Sequence, residues 1–483
     1  MTKRKMSTFE RLQAGRMNRA ERRELGRRVA AGDASLAIVN SNAGGIDVGN
    51  GSHFVAVPPD RDESPVREFG CWTEALREMA AWLNLCRVDT VAVQATGVYW
   101  IALYDVLEQH GIRVVLVNAQ HTKNVPGRKT DVQECQWLMK LHTYGLLRDS
   151  FRLQQDMEYV RTLWRLRDRH VKDAAREIQH MQKALTKMNV QLANVLSDIS
   201  GVSGMAIIGA ILKDKRDPYE LASLVDYRIK ASREEVARSL EGNWRPDVLF
   251  ELQQSVDSYQ FANRQMRQCD EKLEIYLASL PPRTLDNPQQ VQTTPETVAQ
   301  TRKKARKPRD NEPRMDLKAE LTRICGVDLT SIDGVNVMTA FTVISEVGTD
   351  LRRFEDEDHF ASWMGLPPSK DITGGRVIRS GKRKVKNRVA TALRTAATSL
   401  LNSETYLGAR YRHLRRNLPT FKSAVKAMAR YLAVLIYRLM THGQGWIDRG
   451  AAQFEQKRLE RETANLRAKA KANGFALVPL TEQ

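Results

Sequence analysis

The sequence contains two carboxylates, three residues apart, that could take part in catalysis. Asp131 and Glu134 lie in KTDVQECQWL, residues 129–138, between a threonine and a run of apolar residues. Thr130 and Gln133 have the spacing of a capping box, and the apolar residues that follow recur at helical intervals. The sequence therefore predicts a helix that begins at about Asp131, with both acids on one face. Acids in a first turn also complement the helix dipole, so ordinary helix stability is the alternative explanation.

Two further side-chain oxygens lie in predicted strands. Asp47 is in the first strand, within GGIDVGN, and Gln94 ends a buried strand in VAVQATGVYW. A carboxylate inside an apolar strand needs a partner or a metal, because burying it unpaired is costly. If these two strands are neighbours, four oxygen ligands that suit Mg²⁺ converge: Asp47, Gln94, Asp131 and Glu134. The alternative is that Asp47 only hydrogen-bonds to a glycine-rich turn.

A second candidate site lies in GLPPSKDITGGRVIRSGKRKVKNR, residues 365–388. It contains three hydroxyls and a glycine pair that would let the backbone approach a phosphate closely: Ser369, Thr373, Ser380, Gly374 and Gly375. Basic residues follow without an acid: Arg376, Arg379, Lys382, Arg383, Lys384, Lys386 and Arg388. Such a run often forms only a solvated face, but beside a glycine-rich turn and a hydroxyl it favours a clamp on a scissile phosphate.

A segment further upstream, LTRICGVDLTSIDGVNVMTAFTVISEVG, resembles a helix-hairpin-helix. In that motif the backbone N–H groups of a hairpin, here Gly334, Val335 and Asn336, bind phosphates without reading bases. Asn336 stands where a second glycine is usual. A tight turn between two packed helices is the alternative interpretation.

The elements that must position these residues fall into two classes. Strand-like and helix-like segments alternate from 41 to 150, which predicts an α/β domain with an early hairpin. From 151 to 280 the pattern predicts long coiled-coil helices, with a heptad seam formed by Val171, Ala174, Ile178, Met181, Leu185, Met188, Leu192 and Val195. A second helical stretch, from Leu249 to Leu280, is expected to return antiparallel to the first or to mediate self-association.

The remaining segments differ in composition. Residues 1–40 form a basic arm. Residues 281–316 are rich in Pro, Gln, Thr and charge, so we expect a disordered, basic linker. A mainly helical domain is predicted over 317–450 and a charged helix over 451–483.

The charge of the chain indicates what it binds. The 483 residues carry a formal net charge of +19, which favours a polyanionic partner such as nucleic acid. No apolar run reaches the roughly 18 residues that a membrane-spanning helix needs. The five cysteines include no CxxC pair, which is typical of a protein from a reducing compartment without a zinc knuckle or disulfide framework.

Several motifs in order along the chain resemble one family. GIDVG, ATGVYW, LVNAQHTKNVPGRKTDVQECQWL and LHTYGLL are similar to the RuvC-like domain of the DEDD insertion-sequence transposases, the family numbered one hundred and ten, and especially its eleven-eleven subgroup. The similarity continues through LSDISGVSGM, FASWMGLPP, ITGG and NGFALVP. The resemblance implies a ribonuclease-H-fold domain, long coiled-coil helices and a helical carboxy-terminal transposase domain.

The same resemblance implies an activity and its partners. It implies a cytoplasmic, nucleoid-associated bacterial recombinase that binds the element ends and target DNA, is directed by a guide (bridge) RNA, and works as a dimer or tetramer away from membranes. The four acidic positions of the family fall on Asp47, Gln94, Asp131 and Glu134, with Mg²⁺ as cofactor. Gln94 lacks the charge of a carboxylate and should hold a cation less tightly.

The nucleophile is a serine in the family, and its position here falls on Thr373. The β-branched carbon of threonine restricts its rotamers and hinders in-line attack, so Ser369 and Ser380 remain alternatives. Two other functions fit the same sequence. One is a metal-dependent, structure-selective nuclease without a covalent intermediate, and the other is a catalytically decayed nucleic-acid-binding protein.

Overall fold

The computed structural model describes most of the chain, in two compact units. The described residues are 19–30, 36–94, 97–118, 130–284, 312–373, 376–381, 385–443 and 450–476, with the backbone alone for 369–373 and 376–381. The first unit contains the described residues up to Arg152 together with Ser369–Gly381. The second contains Leu153–Pro368 and the described residues after Lys382.

The first unit contains a five-stranded mixed sheet. Its strands are β1 (Ala43–Val48), β2 (Ser52–Ala56), β3 (Val66–Gly70), β4 (Thr90–Gln94) and β5 (Arg113–Val117). They lie in the order β3-β2-β1-β4-β5, with β1 antiparallel to β2 and parallel to β4, and β4 parallel to β5. The predicted early hairpin is confirmed as β1 and β2. An edge strand that was not predicted, β3, pairs with β2.

Helices cover both faces of this sheet. They are α1 (Arg19–Ala30), α2 (Thr73–Leu85), α3 (Trp100–Gln109) and α4 (Asp131–Thr143). Alternate strand residues point to opposite faces. Ile46 and Val93 pack in one core with α2 and α3, whereas Ala92 packs with Leu138 of α4 on the other face. Leu25 of α1 packs against the outer side of α4, so part of the predicted basic arm is an ordered helix.

Two long helices form the core of the second unit, α5 (Gln155–Lys187) and α10 (Pro246–Ser279). Four short helices lie between them in the sequence: α6 (Leu192–Val195), α7 (Val202–Leu212), α8 (Pro218–Ala222) and α9 (Arg233–Ser239). Cross-helix contacts join Tyr159 to Tyr276, Arg167 to Asp270 and Lys187 to Glu251. Residue numbers fall along α10 as they rise along α5, so the predicted antiparallel return is confirmed. Supercoiling of the pair remains a prediction.

The predicted heptad seam is wrong beyond Met188. Helix α5 ends at Lys187, and Asn189 adopts a left-handed conformation with φ 59°. Leu192 belongs to the separate short helix α6 and is fully buried, so it does not continue the seam of α5. Periodicity alone cannot show this break, because the apolar residues keep their spacing while the backbone turns.

The carboxy-terminal half of the chain contains the remaining helices. They are α11 (Leu317–Cys325), α12 (Val337–Val347), α13 (Glu357–Trp363), α14 (Arg388–Ser399), α15 (Tyr406–Asn417), α16 (Phe421–His442) and α17 (Gly450–Ala472). The region predicted as helical also contains an antiparallel hairpin, β6 (Ser369–Thr373) and β7 (Arg376–Gly381), which groups with the first unit. Most of the predicted linker, residues 285–311, lies outside the described residues. No helix in the described ranges is long and apolar enough to cross a bilayer.

Helix α4 lies very close to the sheet at Gly45. A Cβ atom at this position would overlap the backbone of Cys135 and Met139 in α4. The glycine is required because backbone packs directly on backbone here. No other residue type allows α4 to lie so near β1.

We expect Gly45→Ala to lower the free energy of unfolding by about 2–3 kcal/mol, because the added methyl group must displace α4 from the sheet. Gly51→Ala is the matched control, since a Cβ atom at Gly51 meets nothing within 4 Å. Urea unfolding followed by circular dichroism would measure both. Equal stability of the two variants would contradict the proposed close packing.

Candidate functional site

Two of the predicted ligands lie at the carboxyl ends of neighbouring strands. Ile46 of β1 is opposite Val93 of β4, and the next residue in each strand is Asp47 or Gln94. Asp47 shares a face of β1 with Gly45, which touches α4. Gln94 shares a face of β4 with Ala92, which packs on α4 as well. Both polar residues therefore start from the same edge and the same face of the sheet.

The direction of α4 is set by its carboxyl end. His142 Nε2 is hydrogen-bonded to the Thr90 hydroxyl at 2.9 Å, and Asn40 Nδ2 donates to the His142 carbonyl at 2.7 Å. Burial, together with the charge of Arg113, lowers the pKa of His142 to about 4, so the imidazole is neutral at pH 7. Because Thr90 begins β4, the carboxyl end of α4 lies at the amino ends of the parallel strands.

The amino end of α4 must then lie at the opposite edge. From His142 back to Asp131 the helix spans about 16 Å, and from Thr90 to Gln94 the strand spans about 13 Å. The first turn of α4 consequently reaches the edge where β1 and β4 end. Asp131 and Glu134 are on that turn.

The electrostatics of Cys135 support this placement. Burial raises the pKa of its thiol to about 12, and the negative charges of Asp47 and Asp131 contribute to the rise. Carboxylates influence a pKa in this way only from short range. Asp47 of the strand and Asp131 of the helix are thus both close to one buried thiol.

The predicted start of α4 is confirmed. Thr130 caps the helix, and its side chain accepts a hydrogen bond from the Gln133 backbone N–H at 3.3 Å. Asp131 is exposed, whereas Glu134, Asp47 and Gln94 are partly buried. Carboxylate oxygens at this edge are therefore accessible to a ligand from solvent.

The donor types at the edge fit a hard divalent cation, which prefers carboxylate and carbonyl oxygens. Three carboxylates and one amide oxygen are available there: Asp47, Asp131, Glu134 and Gln94. Within the described ranges, no three His, Cys, Asp or Glu side chains are grouped as metal ligands. The four side chains fit such a cation in the type of their donor atoms and in sharing one edge of the sheet. Residues 119–129, which lead into α4, lie outside the described part.

The candidate nucleophiles lie at opposite ends of the β6–β7 hairpin. Thr373 is the last residue of β6 and is opposite Arg376, the first residue of β7, whereas Ser369 is opposite Gly381 at the far end. Ser380 pairs with Lys370, next to that far end. Thr373 is thus about 13 Å along the strand from Ser369. One phosphate cannot be within reach of both ends, so the alternatives are distinguishable.

Only part of the predicted phosphate clamp is described. Gly374, Gly375, Lys382, Arg383 and Lys384 lie outside the described residues, and Arg376 and Arg379 are described as backbone of β7. Lys386 is exposed. A phosphate-binding role for these residues stays a prediction.

Arg388 forms ion pairs within the fold that were not predicted. Its guanidinium pairs with Asp168 of α5 at 2.7 Å and lies 3.9 Å from Glu346 of α12. Glu346 is only 6% exposed and receives two hydrogen bonds from Arg165, at 2.8 and 2.6 Å. A glutamate in the apolar stretch FTVISEV was the signal, because such an acid must be paired.

The predicted helix-hairpin-helix corresponds to α11, a 3₁₀ turn (Leu329–Ser331) and α12. Asn336 caps α12 by accepting from the Thr339 N–H at 2.8 Å, which explains why asparagine replaces a glycine. Gly334 has φ 83°, and a Cβ atom there would lie 3.0 Å from the Ala396 carbonyl oxygen. The turn is therefore packed against α14, and phosphate binding by its N–H groups remains a prediction.

Two family models match the chain. Residues 44–190 match the IS110 DEDD model, described as a transposase, and residues 328–412 match the model for transposases of the IS116/IS110/IS902 family. The first match contains the edge of β1, β4 and α4, and the second contains the hairpin with Thr373. The search of curated proteins returns no match. The DEDD domain implies dependence on a divalent metal and binding to DNA. The chain therefore carries an IS110-family DEDD transposase domain and a second transposase domain of the IS116/IS110/IS902 family, and it is a DNA transposase.

Proposed function

We propose that this transposase moves an insertion sequence by RNA-guided cleavage and exchange of DNA strands. Mg²⁺ would be held by Asp47, Gln94, Asp131 and Glu134, and a hydroxyl of the β6–β7 hairpin would attack the DNA phosphate. The observation that carries the proposal is the meeting of β1, β4 and the first turn of α4 at one edge of the sheet. Parallel sheets place ligand sites at the carboxyl ends of their strands.

At this edge the protein holds the metal ligands in position. Bound Mg²⁺ would supply charge stabilisation at the phosphate oxygens. The sheet fixes Asp47, and α4 fixes Asp131. The carboxyl end of α4 is hydrogen-bonded to Thr90 of β4, and Thr130 caps its amino end. Rigid elements hold such ligands more accurately than loops do.

The chemical step exchanges one ester for another. A bond forms between the hydroxyl oxygen and phosphorus, the hydroxyl loses its proton, and the released DNA oxygen takes one up. The energy of the broken phosphodiester is kept in the protein–DNA ester, so strands can be rejoined without an external energy source. Thr373 is our first candidate because it directly precedes the glycine pair in the sequence and is opposite a basic residue, Arg376.

Guidance by RNA is supported by the positive charge of the chain together with the lack of a sequence motif for base-specific recognition. The net charge of +19 favours contacts with phosphates, which give affinity but no sequence information. A guide RNA would supply the sequence specificity through base pairing, while the protein holds backbones. The competing functions are a nuclease without a covalent intermediate and a decayed binding protein.

For the metal site, we expect Asp47→Asn or Asp131→Asn to lower Mg²⁺-dependent strand exchange about 100-fold or more, because each removes a charged ligand. Affinity for DNA should change little. Asp105→Asn, on α3 at the other face of the sheet, removes the same charge and is the control. Gln94→Glu should lower the Mg²⁺ concentration for half-maximal activity. Full activity of Asp131→Asn would refute the assignment.

For the nucleophile, Thr373→Val keeps the shape of the side chain and removes the hydroxyl. The covalent protein–DNA adduct, trapped by denaturation and resolved by electrophoresis, should disappear. Ser369→Ala and Ser380→Ala should retain it. An adduct that survives in Thr373→Val and is lost in one serine variant would assign the nucleophile to that serine, and the absence of any adduct in the unmodified protein would favour the nuclease.

For guidance, the purified protein should carry a structured RNA of discrete length. Ribonuclease treatment before DNA is added should abolish site-specific recombination and spare salt-sensitive DNA binding. Restored recombination after the RNA is added back is the control. Recombination of a defined site at full rate by RNA-free protein would instead indicate direct readout by the protein.

A further inference from the structure

A basic groove lies between α15 and α17 in the second unit. Its volume is about 330 Å³, and it is lined by both helices from Tyr406 to Leu414 and from Phe454 to Asn465. The wall contributed by α17 is beyond the residues that match either family model, 44–190 and 328–412. Neither the metal edge nor the hairpin contributes a residue to this groove.

The charges that line the groove are mostly positive. Arg410, Lys457 and Arg461 all line it, and none of them forms an ion pair within the described residues. Its single acid, Glu462, already accepts a hydrogen bond at 2.8 Å from Arg458, which Glu455 also contacts. The groove therefore holds an excess of positive charge that the protein does not neutralise itself.

Arg410 carries the most specific signal. Its Nε is buried and has no hydrogen-bond partner in the described structure. Its guanidinium lies 3.9 Å from the centre of the Tyr431 ring, which holds it in place. Arg410 also lines the groove, so its unpaired guanidinium charge favours an anionic ligand there.

The floor of the groove is built from rings. Phe454 of α17 contacts Tyr406 edge-on at 5.2 Å between centroids and His413 at 5.8 Å, so it joins the two helices. A groove with basic walls and aromatic residues is typical of sites that follow a nucleic-acid strand. The larger cavity beside α10, about 550 Å³, differs because its four acids outnumber its three arginines, so it holds no excess of positive charge.

We propose that the groove between α15 and α17 binds the phosphodiester backbone of a single nucleic-acid strand. Its volume is that of a small-ligand pocket, about 300–1,000 Å³, and so fits one nucleotide unit rather than a duplex. Arg410 contacts a phosphate from the α15 side, while Lys457 and Arg461 contact phosphates from the α17 side. The proposal rests on the function proposed above only in its choice of a nucleic acid as ligand.

The test compares salt dependence in the full-length protein. Lys457→Gln/Arg461→Gln removes two charges from the groove, and Lys469→Gln/Lys471→Gln removes two from the last turn of the same helix as a matched control. The probes are labelled uridine and thymidine homopolymers and a DNA duplex, followed by fluorescence anisotropy over a salt series. For single strands, the groove variant should bind roughly tenfold more weakly, and the slope of log affinity against log salt should fall by about 1.4. The control should lose less than about twofold.

The source of the strand follows from the probe that is affected. A loss with the uridine probe alone assigns the groove to RNA, and a loss with the thymidine probe alone assigns it to single-stranded DNA. Arg410→Lys keeps the charge but removes the planar guanidinium that stacks on Tyr431, so it should weaken binding without changing the salt slope. Equal losses in the groove and control variants, or a loss confined to the duplex, would overturn the proposal. The measured quantity is binding rather than strand exchange, so failure of the proposed chemistry would leave this result readable.

Discussion

The first unit depends on the direct contact of one helix backbone with one strand backbone. Gly45 lets α4 lie on β1 at Cys135 and Met139, with no side chain between them. This contact sets the height of the helix over the sheet, and the bond from His142 to Thr90 sets its direction. The position of the acids on the first turn is a consequence of both, because a helix that is fixed at its middle and its carboxyl end has no freedom left at its amino end.

The second unit is held by buried charge pairs as well as by apolar packing. Arg167 is 2% exposed and pairs with Asp270 across the two long helices. Glu346, also buried, joins α12 to α5 through Arg165. Breaking such a pair leaves an uncompensated buried charge, so these contacts oppose sliding of the elements past one another. Each buried charge has few possible partners, so these pairs favour one alignment of the helices over neighbouring alignments.

Some basic side chains of the protein are paired with acids within the fold, and others are not. Arg388 is engaged by Asp168 and lies near Glu346, so its charge is partly neutralised within the fold. Arg410 and Arg461 form no ion pair within the described residues, and both line one groove. Net charge therefore indicates the class of partner, whereas the pattern of internal ion pairs indicates which cations are available to it.

The sequence by itself determined the local chemistry: the cap at Thr130, the start of α4 at Asp131, the strands that carry Asp47 and Gln94, and the family resemblance. These features depend on neighbours in the chain or on short-range periodicity. It did not determine where the heptad pattern stops being one helix, at Lys187, or that a hairpin interrupts the helical region. Only the tertiary structure decided that β1 lies beside β4, that α4 runs antiparallel to them, and that Arg388 meets Asp168, 220 residues away. Those outcomes depend on which surfaces pack together, and packing joins residues that no local pattern relates.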